Sequence, residues 1–345
     1  MATTYFAGNK DTDFTFTGST VSINTTTTNF RTANVGNCIQ VSVGSTTDPP
    51  SPRFTTANFT ANSYMWIHGE FTIAANNNTT TANATMMRVL DAAGVARLVV
   101  RGTGTTGQLK VDKRNAAGSF TNLATTASGA MPGSVASPFT QHFDLFVQYG
   151  TSGLVQLWIN SLLVATSGVT DVTTDGATQL AAADFAGPNT AVLYSWSEIY
   201  VSDSITINGG LYRLNPLAAG NTQSFSPNTV ANVNKTTIAD GTFVSDVNNN
   251  DLSEWTTPVA VPAGFIIQSV VQVARVAVGL AGPQHFDWLV RTKGGTDNLA
   301  GVSNAPTNLF SNFPNYVWGI NPKTGAAWLP SDIAAGFNLG IKSLS

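Results

Sequence analysis

Alternation of polar and apolar residues with a period of two most constrains the fold of this chain. Four short segments show it best: 64–73 (YMWIHGEFTI), 142–150 (HFDLFVQYG), 153–160 (GLVQLWIN) and 194–203 (YSWSEIYVSD). They are rich in β-branched and aromatic residues, which suit a half-buried pleated surface, and turn residues separate them. No long window has the 3.6-residue period of an amphipathic helix. The sequence therefore predicts an all-β protein.

Helix is expected only in short turns. The segment 330–336 (PSDIAAG) is one, since Pro330 can start a turn whose first amides the Ser331 side chain can cap. The most apolar stretch, 264–282, contains two glutamines and an arginine. It is predicted to be a strand rather than a membrane span.

Composition excludes several classes of protein. The chain has 345 residues, enough for about two domains with a large core. Only 10% of the residues are charged and the net charge is −3, which argues against nucleic acid as a partner. The densest basic stretch, 110–114 (KVDKR), is interrupted by Asp112 and is interpreted as a solvated hairpin face.

The cysteine content bears on disulfide formation, and the first residues bear on targeting. Cys38 is the single cysteine, so an intrachain disulfide is excluded. The opening MATTYFAGNKD lacks a basic region followed by an apolar run, and no signal peptide is predicted. We therefore expect synthesis in a cytoplasm.

A domain boundary is predicted near residues 203–210, where the polar, glycine-ended SITINGG follows a strand ending in IYVSD. We expect domains at 1–205 and 206–345. The second region has its own turn-rich section and its own apolar strands. No repeat with a fixed period of about 20–50 residues stands out, so a propeller or solenoid is not expected.

The sequence RGTGTTGQL contains a G-x-G-x-x-G pattern at Gly102, Gly104 and Gly107. A dinucleotide fingerprint needs a helix after it, whereas the strand-like QLKVDK follows here. The pattern is therefore interpreted as a glycine-rich hairpin loop.

The segment 246–251 (DVNNND) resembles the start of a calcium loop. An EF-hand is excluded because Asp251 stands where glycine is needed and Thr257 stands where a bidentate glutamate is needed. An Asx turn is predicted, with a looser calcium site as the alternative.

The three histidines, His68, His142 and His285, each lie within a strand-like apolar run and are interpreted as packed or rim residues. They lack the spacing of a zinc motif, and Cys38 has no partner cysteine. We predict no metal-binding residue and no cofactor.

The three glutamates, Glu70, Glu198 and Glu254, are scattered along the chain. Glycoside hydrolysis needs two carboxylates that flank the bond, and no clustered motif indicates such a pair. A G-x-S-x-G elbow is also absent from the sequence. No catalytic or cofactor-binding residue is predicted.

The segment 141–168 (QHFDLFVQYGTSGLVQLWINSLLVATSG) resembles the strand–strand–turn–strand core of laminin-G-like and concanavalin-A-like jelly rolls. Asn160 and Ser161 replace the family's Asn-Gly, and the turn is expected to be looser because serine tolerates positive φ less well than glycine. LYSWSEIYVSD resembles the strand that closes such domains. The E-x-D-x-x-E strand of related glucanases has no match at Glu70 or Glu198, so no catalytic residue is carried over.

The last segment, 315–345 (NYVWGINPKTGAAWLPSDIAAGFNLGIKSLS), is similar to the closing motif of a group of tailed-bacteriophage virion proteins. The matching positions are Asn321, Pro322, Thr324, Gly325, Ala326, Ala327, Trp328, Asp332, Phe337, Gly340, Ile341 and Lys342. In that group a second β-domain follows a jelly roll. The resemblance implies a concanavalin-A/laminin-G-like jelly-roll sandwich followed by a C-terminal antiparallel β-sandwich.

The sequence of residues 315–345 predicts that this segment is structured. NPKTG predicts a turn, because Pro322 presets φ and Gly325 accepts a left-handed conformation. Trp318 and Trp328 flank this turn and are expected to hold it to the core. The final strand alternates, with one face formed by Phe337, Leu339 and Ile341. We expect that strand to complete a sheet.

These resemblances imply a non-enzymatic structural component of a tailed-phage virion, either a head decoration or a tail-associated protein. Its expected partners are major capsid or tail subunits and further copies of itself, as a trimer or dimer. The N-terminal segment 1–16 is expected to be an arm or an edge strand added to a neighbour. Its expected location is the virion, after synthesis in the host cytoplasm.

The alternative is a glycan-binding adhesion or receptor-binding protein that recognises a host surface glycan. Trp66, Trp158 and Trp196 lie in predicted strands of the first domain. Exposed aromatic rings beside Asn or Asp favour sugar binding, whereas buried rings favour the structural role. A glycan hydrolase is the third hypothesis, and the sequence offers no motif for it.

Overall fold

The chain is described in a computed structural model. The structure describes residues 3–10, 13–24, 37–41, 44–73, 79–131, 139–173, 177, 179–212, 214–227, 229–234, 239–257, 261, 265–312, 315–334 and 336–345. The all-β prediction is confirmed, since nearly all regular structure lies in antiparallel sheets.

The chain divides into two compact units. The larger unit spans Tyr5–Tyr212, and the smaller unit contains Arg213–Ser345 together with Met1–Thr4. The predicted domain bounds, 1–205 and 206–345, stay a prediction.

The strands β1 to β15 belong to the first part of the chain. They are β1 (Thr4–Gly8), β2 (Phe14–Thr17), β3 (Val21–Asn24), β4 (Cys38–Val41), β5 (Arg53–Thr56), β6 (Tyr64–Ile73), β7 (Thr85–Leu90), β8 (Ala96–Gly102), β9 (Leu109–Arg114), β10 (Phe120–Thr125), β11 (Phe139–Gln148), β12 (Leu154–Ile159), β13 (Leu162–Thr166), β14 (Ala182–Phe185) and β15 (Tyr194–Ser202).

These strands form two sheets that pack as a sandwich. The eight-stranded sheet has the order β13-β12-β11-β6-β15-β4-β3, and β1 also pairs with β15. The seven-stranded sheet has the order β10-β9-β8-β7-β14-β5-β2. Side chains from both sheets share one hydrophobic core, in which the rings of Trp196 and Phe185 lie 5.0 Å apart.

Strand β6 has the bounds that the alternation predicts. Its side chains at positions 65, 67, 71 and 73 lie in the core, as the period of two requires. The fifth position on that face is Gly69, where a Cβ atom would lie 3.0 Å from the indole of Trp196. Gly69 therefore makes room for the largest buried side chain of the core.

The described residues of the N-terminal segment form strands within their own chain, and the expectation that the segment is an arm or an edge strand added to a neighbour stays a prediction. Strand β1 pairs with β15, and β2 pairs with β5 at the edge of the seven-stranded sheet. Phe6 and Phe14 are buried in the sandwich core. Burial of these rings ties the segment to its own chain.

The turn between β12 and β13 is tight, which corrects the expectation of a looser one. Ile159 pairs with Leu162, so two residues connect the strands. Asn160 and Ser161 have φ values of 50° and 66°, the positive values that a two-residue hairpin turn needs. The Asn160 side chain also accepts a hydrogen bond from the His142 amide at 3.0 Å.

The smaller unit contains the remaining elements. They are β16 (Ala218–Gln223), α1 (Val230–Val233), β17 (Leu252–Thr256), β18 (Val270–Gln272), β19 (Arg275–Val276), β20 (His285–Arg291), β21 (Asn298–Leu299), β22 (Ser311–Asn312), β23 (Tyr316–Trp318), a 3₁₀ turn (Pro330–Ile333) and β24 (Asn338–Leu344).

A five-stranded sheet, β16-β17-β24-β20-β21, is the centre of this unit. Its core residues Trp288 and Phe337 pack with Val270 of β18 and Trp318 of β23, and these two strands form a separate pair. The apolar stretch 264–282 was predicted to be one strand. Its described residues instead form only β18 and β19, so that prediction is wrong. Among the described residues, none of the helices has the length and apolar character of a membrane span.

The C-terminal tail has the predicted construction. The amide of Gly325, which has φ of +67°, donates to the Asn321 carbonyl in the NPKTG turn. The Trp328 indole donates to the Trp318 carbonyl at 2.6 Å, and both rings are buried. Strand β24 pairs with β17 on one side and with β20 on the other. The last strand is therefore central in its sheet.

One detail of the tail differs from the prediction. The Asp332 carboxylate, at the third position of the 3₁₀ turn, accepts the Leu329 amide at 2.8 Å, which is the bond that reaches back in a capping box. In this described segment the turn has no side-chain cap of the kind predicted for Ser331.

Removal of residues 337–345 is expected to unfold the smaller unit, because it separates β17 from β20 and removes the fully buried Phe337. Calorimetry of the shortened chain should then show only the thermal unfolding transition of the larger unit. Removal of Ser345 alone, which lies outside β24, should leave both transitions in place. An unchanged melting curve after the longer deletion would show that β24 is not required.

Candidate functional site

A buried group of polar residues lies on the face of the eight-stranded sheet that points away from the sandwich core. It is centred on β6, where His68 and Glu70 alternate with the core residues. Neighbouring strands place His142 opposite Glu70 and Asp144 opposite His68. We call this group, with Glu198, Tyr200 and Thr206, the polar cluster.

His68 and Asp144 form its inner pair. The Nδ1 atom of His68 lies 2.7 Å from Oδ1 of Asp144, and both side chains are fully buried. The same carboxylate oxygen accepts a hydrogen bond from the Thr206 hydroxyl at 2.6 Å. Since a carboxylate only accepts, Nδ1 of His68 is the donor.

The charge of His68 depends on opposing effects. Burial lowers the pKa of its imidazole, while the hydrogen bond and charge of Asp144 and the charges of Glu70 and Glu198 raise it. The net shift of the His68 pKa is upward. The surroundings of this ring therefore favour a positive charge.

His142 and Glu70 form the outer pair. Nδ1 of His142 lies 3.1 Å from Oε1 of Glu70, and the His142 side chain is 14% exposed. The rings of His142 and His68 have centroids 5.6 Å apart. One donor atom each from His68, Glu70 and His142 falls within 4.8 Å of the other two, so this trio has the composition of a metal-binding group.

Strand β15 and the loop after it close the cluster. The Tyr200 hydroxyl donates to the Thr206 carbonyl at 3.2 Å, and its ring lies 4.8 Å from that of His68. Burial and the nearby carboxylates raise the pKa of Tyr200. A Cβ atom at Gly209 would overlap the Tyr200 hydroxyl, so glycine permits this close approach.

Glu198 occupies an irregular position in β15. The pairing with β6 shifts between Ser197 and Tyr200, and Glu198 has a positive φ of 52°. Its amide donates to Oδ1 of Asn9 at 2.9 Å, and its carboxylate accepts the Leu211 amide at 3.0 Å. These bonds hold a conformation that costs a non-glycine residue about 1 kcal/mol or more.

The structure brings together residues that looked unrelated in the sequence. His68 and His142 are neighbours in the polar cluster, as are Glu70 and Glu198. His285 and Glu254 lie instead in the smaller unit, where His285 is 3.0 Å from the Ser303 hydroxyl. The alternation of β6 shows that His68 and Glu70 share a face. The pairing of β6 with β11 and β15 has no counterpart in the sequence pattern.

Two predicted loops are confirmed. The G-x-G-x-x-G pattern connects β8 to β9 as a hairpin loop, with Gly104 and Gly107 at positive φ. In DVNNND the Asn248 amide donates to the Asp246 side chain at 3.1 Å, which is the predicted Asx turn.

The three tryptophans weighed as core residues or as sugar platforms have different surroundings. Trp196 is in the core, and Trp66 is buried on the outer face of the sheet. Trp158 is half-buried, 6.5 Å from Trp66. The exposed ring of this row is Tyr64, which packs on Phe146 at 5.1 Å.

The outer face of the seven-stranded sheet carries arginine–aspartate pairs. Nε of Arg88 lies 2.8 Å from Asp184, its other nitrogens contact Asp184 and Asp48, and Arg53 lies 3.5 Å from Asp184. A depression of about 480 Å³ opens beside them and includes Arg114 in its lining. The Arg88 and Asp184 side chains are almost completely buried, so each neutralises the other.

Arg88→Met is expected to lower the free energy of unfolding by about 3–5 kcal/mol, because it leaves the Asp184 charge buried without its closest partner. Lys110→Met is the matched control. Its ammonium lies 3.7 Å from Asp112 and is partly exposed, so about 1 kcal/mol or less is expected. Urea unfolding of both variants measures the difference. Equal losses in the two variants would contradict a structural role for the Arg88–Asp184 pair.

Comparisons with known proteins give distant likenesses only. No protein-family model matches the chain, and no curated protein matches it. The globular domain of T. cruzi calreticulin is similar over 59% of this chain and 89% of its own, with 9% identity and a TM-score of 0.38. An endo-β-1,4-glucuronan lyase from the fungus Trichoderma reesei is similar over 60% and 96%, with 9% identity and a TM-score of 0.39.

The binding domain of Paraclostridial Mosquitocidal Protein 1 is similar over 65% of this chain and 56% of its own, with 12% identity and a TM-score of 0.37. Scores this low carry no functional inference, and we draw none from them.

Proposed function

We propose that this chain is a non-enzymatic structural component of a tailed-phage virion that acts through protein–protein contacts. The observation that carries the proposal is an apolar surface on the smaller unit. It is built from the segments 243–247, 278–282 and 307–310, and we call it the apolar loop surface.

Contacts among these segments place them side by side. The rings of Phe243 and Phe310 have centroids 5.4 Å apart. The Val278 amide donates to the Thr307 carbonyl at 2.9 Å. Gly282 packs on Val247, whose Cα would lie 3.2 Å from a Cβ atom at that glycine. The three segments therefore form one continuous region of the unit.

Large apolar side chains are exposed across this region. Their exposed fractions are 44% for Phe243, 76% for Val247, 101% for Leu280 and 73% for Leu309. Asp246 is the single charged residue of the three segments. Contiguous exposed apolar side chains mark protein interaction sites, and the near absence of charge suits an apolar interface core.

The distribution of apolar side chains supports the same conclusion. Of the fifteen exposed large hydrophobic residues among those described, ten lie in the smaller unit. A protein that acts alone in water gains nothing from such exposure, whereas an assembly buries it.

The resemblance of residues 315–345 to a virion-protein motif supports the particle as the place of action. The order of a jelly-roll sandwich followed by a second β-region agrees with that group. The proposed partners are major capsid or tail subunits, together with further copies of the chain as a trimer or dimer.

One observation favours the alternative, a glycan-binding adhesion protein. Tyr64 exposes its ring at the end of the row formed with Phe146 and Trp66. The buried state of Trp66 and Trp196 favours the structural role instead. A glycan array with the wild-type chain and Tyr64→Ala tests the alternative, which requires binding that the variant loses.

The proposal predicts that the chain is present in fixed copy number on purified particles. Cryo-EM or gold-labelled antibody measures its location and copy number. Many copies on the head indicate a decoration protein, and a few copies at the tail indicate a tail protein. Absence of the chain from particles would overturn the proposal.

A double variant, Leu280→Asp and Leu309→Asp, tests the surface itself. It is expected to reduce incorporation about tenfold or more, because it places two charges in the apolar contact. Thr296→Asp is the control at an exposed polar position of the same unit and should be incorporated normally. Both should melt like the wild type. Normal incorporation of the double variant would show that this surface makes no contact in the particle.

A further inference from the structure

The polar cluster has a feature that the proposed function does not use. Nε2 of His68 is completely buried, and among the residues that the structure describes it has no hydrogen-bond partner. An unpaired buried ring nitrogen is costly, since it has lost water without a replacement. The other ring nitrogen of His68, Nδ1, is hydrogen-bonded to Oδ1 of Asp144 at 2.7 Å.

This arrangement is the one found at metal-binding histidines. A carboxylate that holds one ring nitrogen fixes the orientation of the imidazole and directs the lone pair of the other nitrogen to a cation. Asp144 does this for His68, and Thr206 in turn holds Asp144 through a hydrogen bond of 2.6 Å. The orientation of His68 is therefore fixed by Asp144, and that of Asp144 by Thr206.

We propose that His68, Glu70 and His142 bind one divalent transition-metal ion of the zinc class. Their donor atoms all lie within 4.8 Å of one another. Around zinc, bonds of about 2.0–2.2 Å bring ligands to within about 3.4 Å. A separation of 4.8 Å must therefore shorten by about 1.4 Å when the ion binds.

The chemistry of the donors selects the class of ion. Two imidazole nitrogens and one carboxylate oxygen suit zinc, cobalt and similar ions, whereas calcium and magnesium prefer oxygen ligands alone. Zinc takes a fourth ligand, and a water molecule fills that position in sites with three protein ligands.

The charge of the surroundings favours a cation. Oδ1 of Asp144 lies 2.7 Å from Nδ1 of His68, and Oε1 of Glu70 lies 3.1 Å from Nδ1 of His142. Both carboxylates are buried, and a divalent ion between the ligands offsets their negative charge.

The ligands lie on rigid elements. His68 and Glu70 belong to β6, and His142 belongs to β11, in the interior of the eight-stranded sheet. Glu70 and His142 are directly opposite each other in the register. Sites on packed strands hold their geometry better than sites on loops.

The test is metal binding by the untagged chain of residues 1–345 after treatment with a chelator. Addition of Zn²⁺, measured by mass spectrometry of the metal content after desalting, should give one ion per chain. Co²⁺ should give the visible absorption bands of a tetrahedral or five-coordinate site. Zinc at about 100 times Kd should raise the Tm of the larger unit by about 5–10 °C.

The three histidines of the sequence provide matched variants. His142→Gln and Glu70→Gln should lose the ion, while His285→Gln, in the smaller unit, should keep it. Asp144→Asn should weaken binding by about 10–100-fold, since Asp144 supports His68 and does not itself bind the ion. His142 is partly exposed, so its replacement is the variant that best preserves the fold.

X-ray absorption spectroscopy of the zinc-loaded wild type counts the imidazole ligands of the ion and does not depend on any variant. Two imidazole ligands are expected. No bound ion in the wild type, fewer than two imidazoles, or equal loss of the ion in His285→Gln and His142→Gln would each overturn the proposal.

Discussion

The structure of the larger unit depends on one constraint, the burial of β6 on both faces. One face packs into the sandwich core against Trp196, and the other carries His68 and Glu70 under the loop that contains Thr206. Water does not solvate a polar side chain on a strand that is buried on both faces. The side chains of its outer face must therefore find partners on β11 and β15, and the His68–Asp144 pair is the result.

The two units differ in how completely they bury their apolar and charged side chains. The larger unit has two complete sheets, and its buried charges are matched within it, as between Arg88 and Asp184. The smaller unit has one five-stranded sheet and two short pairs of strands, and it leaves large apolar side chains such as Leu280 exposed. Large apolar side chains left exposed are a reason to expect partners, and they are the physical basis for the proposed role in a particle.

Much of the fold was predictable because its signals are local. The bounds of β6, the hairpin loop at Gly104 and the tail turn at Gly325 follow from alternation and turn chemistry within a few residues. Local signals fail where tertiary contacts decide. Nothing local reveals that Phe6 and Phe14 enter the core of their own sandwich. The described residues of the apolar stretch 264–282 form only β18 and β19, and their partners β23 and β22 lie far along the chain.

The sequence by itself determined the all-β class, the turns, and the alternation that places His68 and Glu70 on one face of a strand. It also determined the NPKTG turn and the alternation of Phe337, Leu339 and Ile341 in the final segment. Only the tertiary structure decided that β24 lies in the middle of its sheet and that His142 and Asp144 stand beside β6. The reason is that strand pairing joins residues about 75 positions apart, such as His68 and Asp144, and a side-chain period of two carries no information about which strands become neighbours.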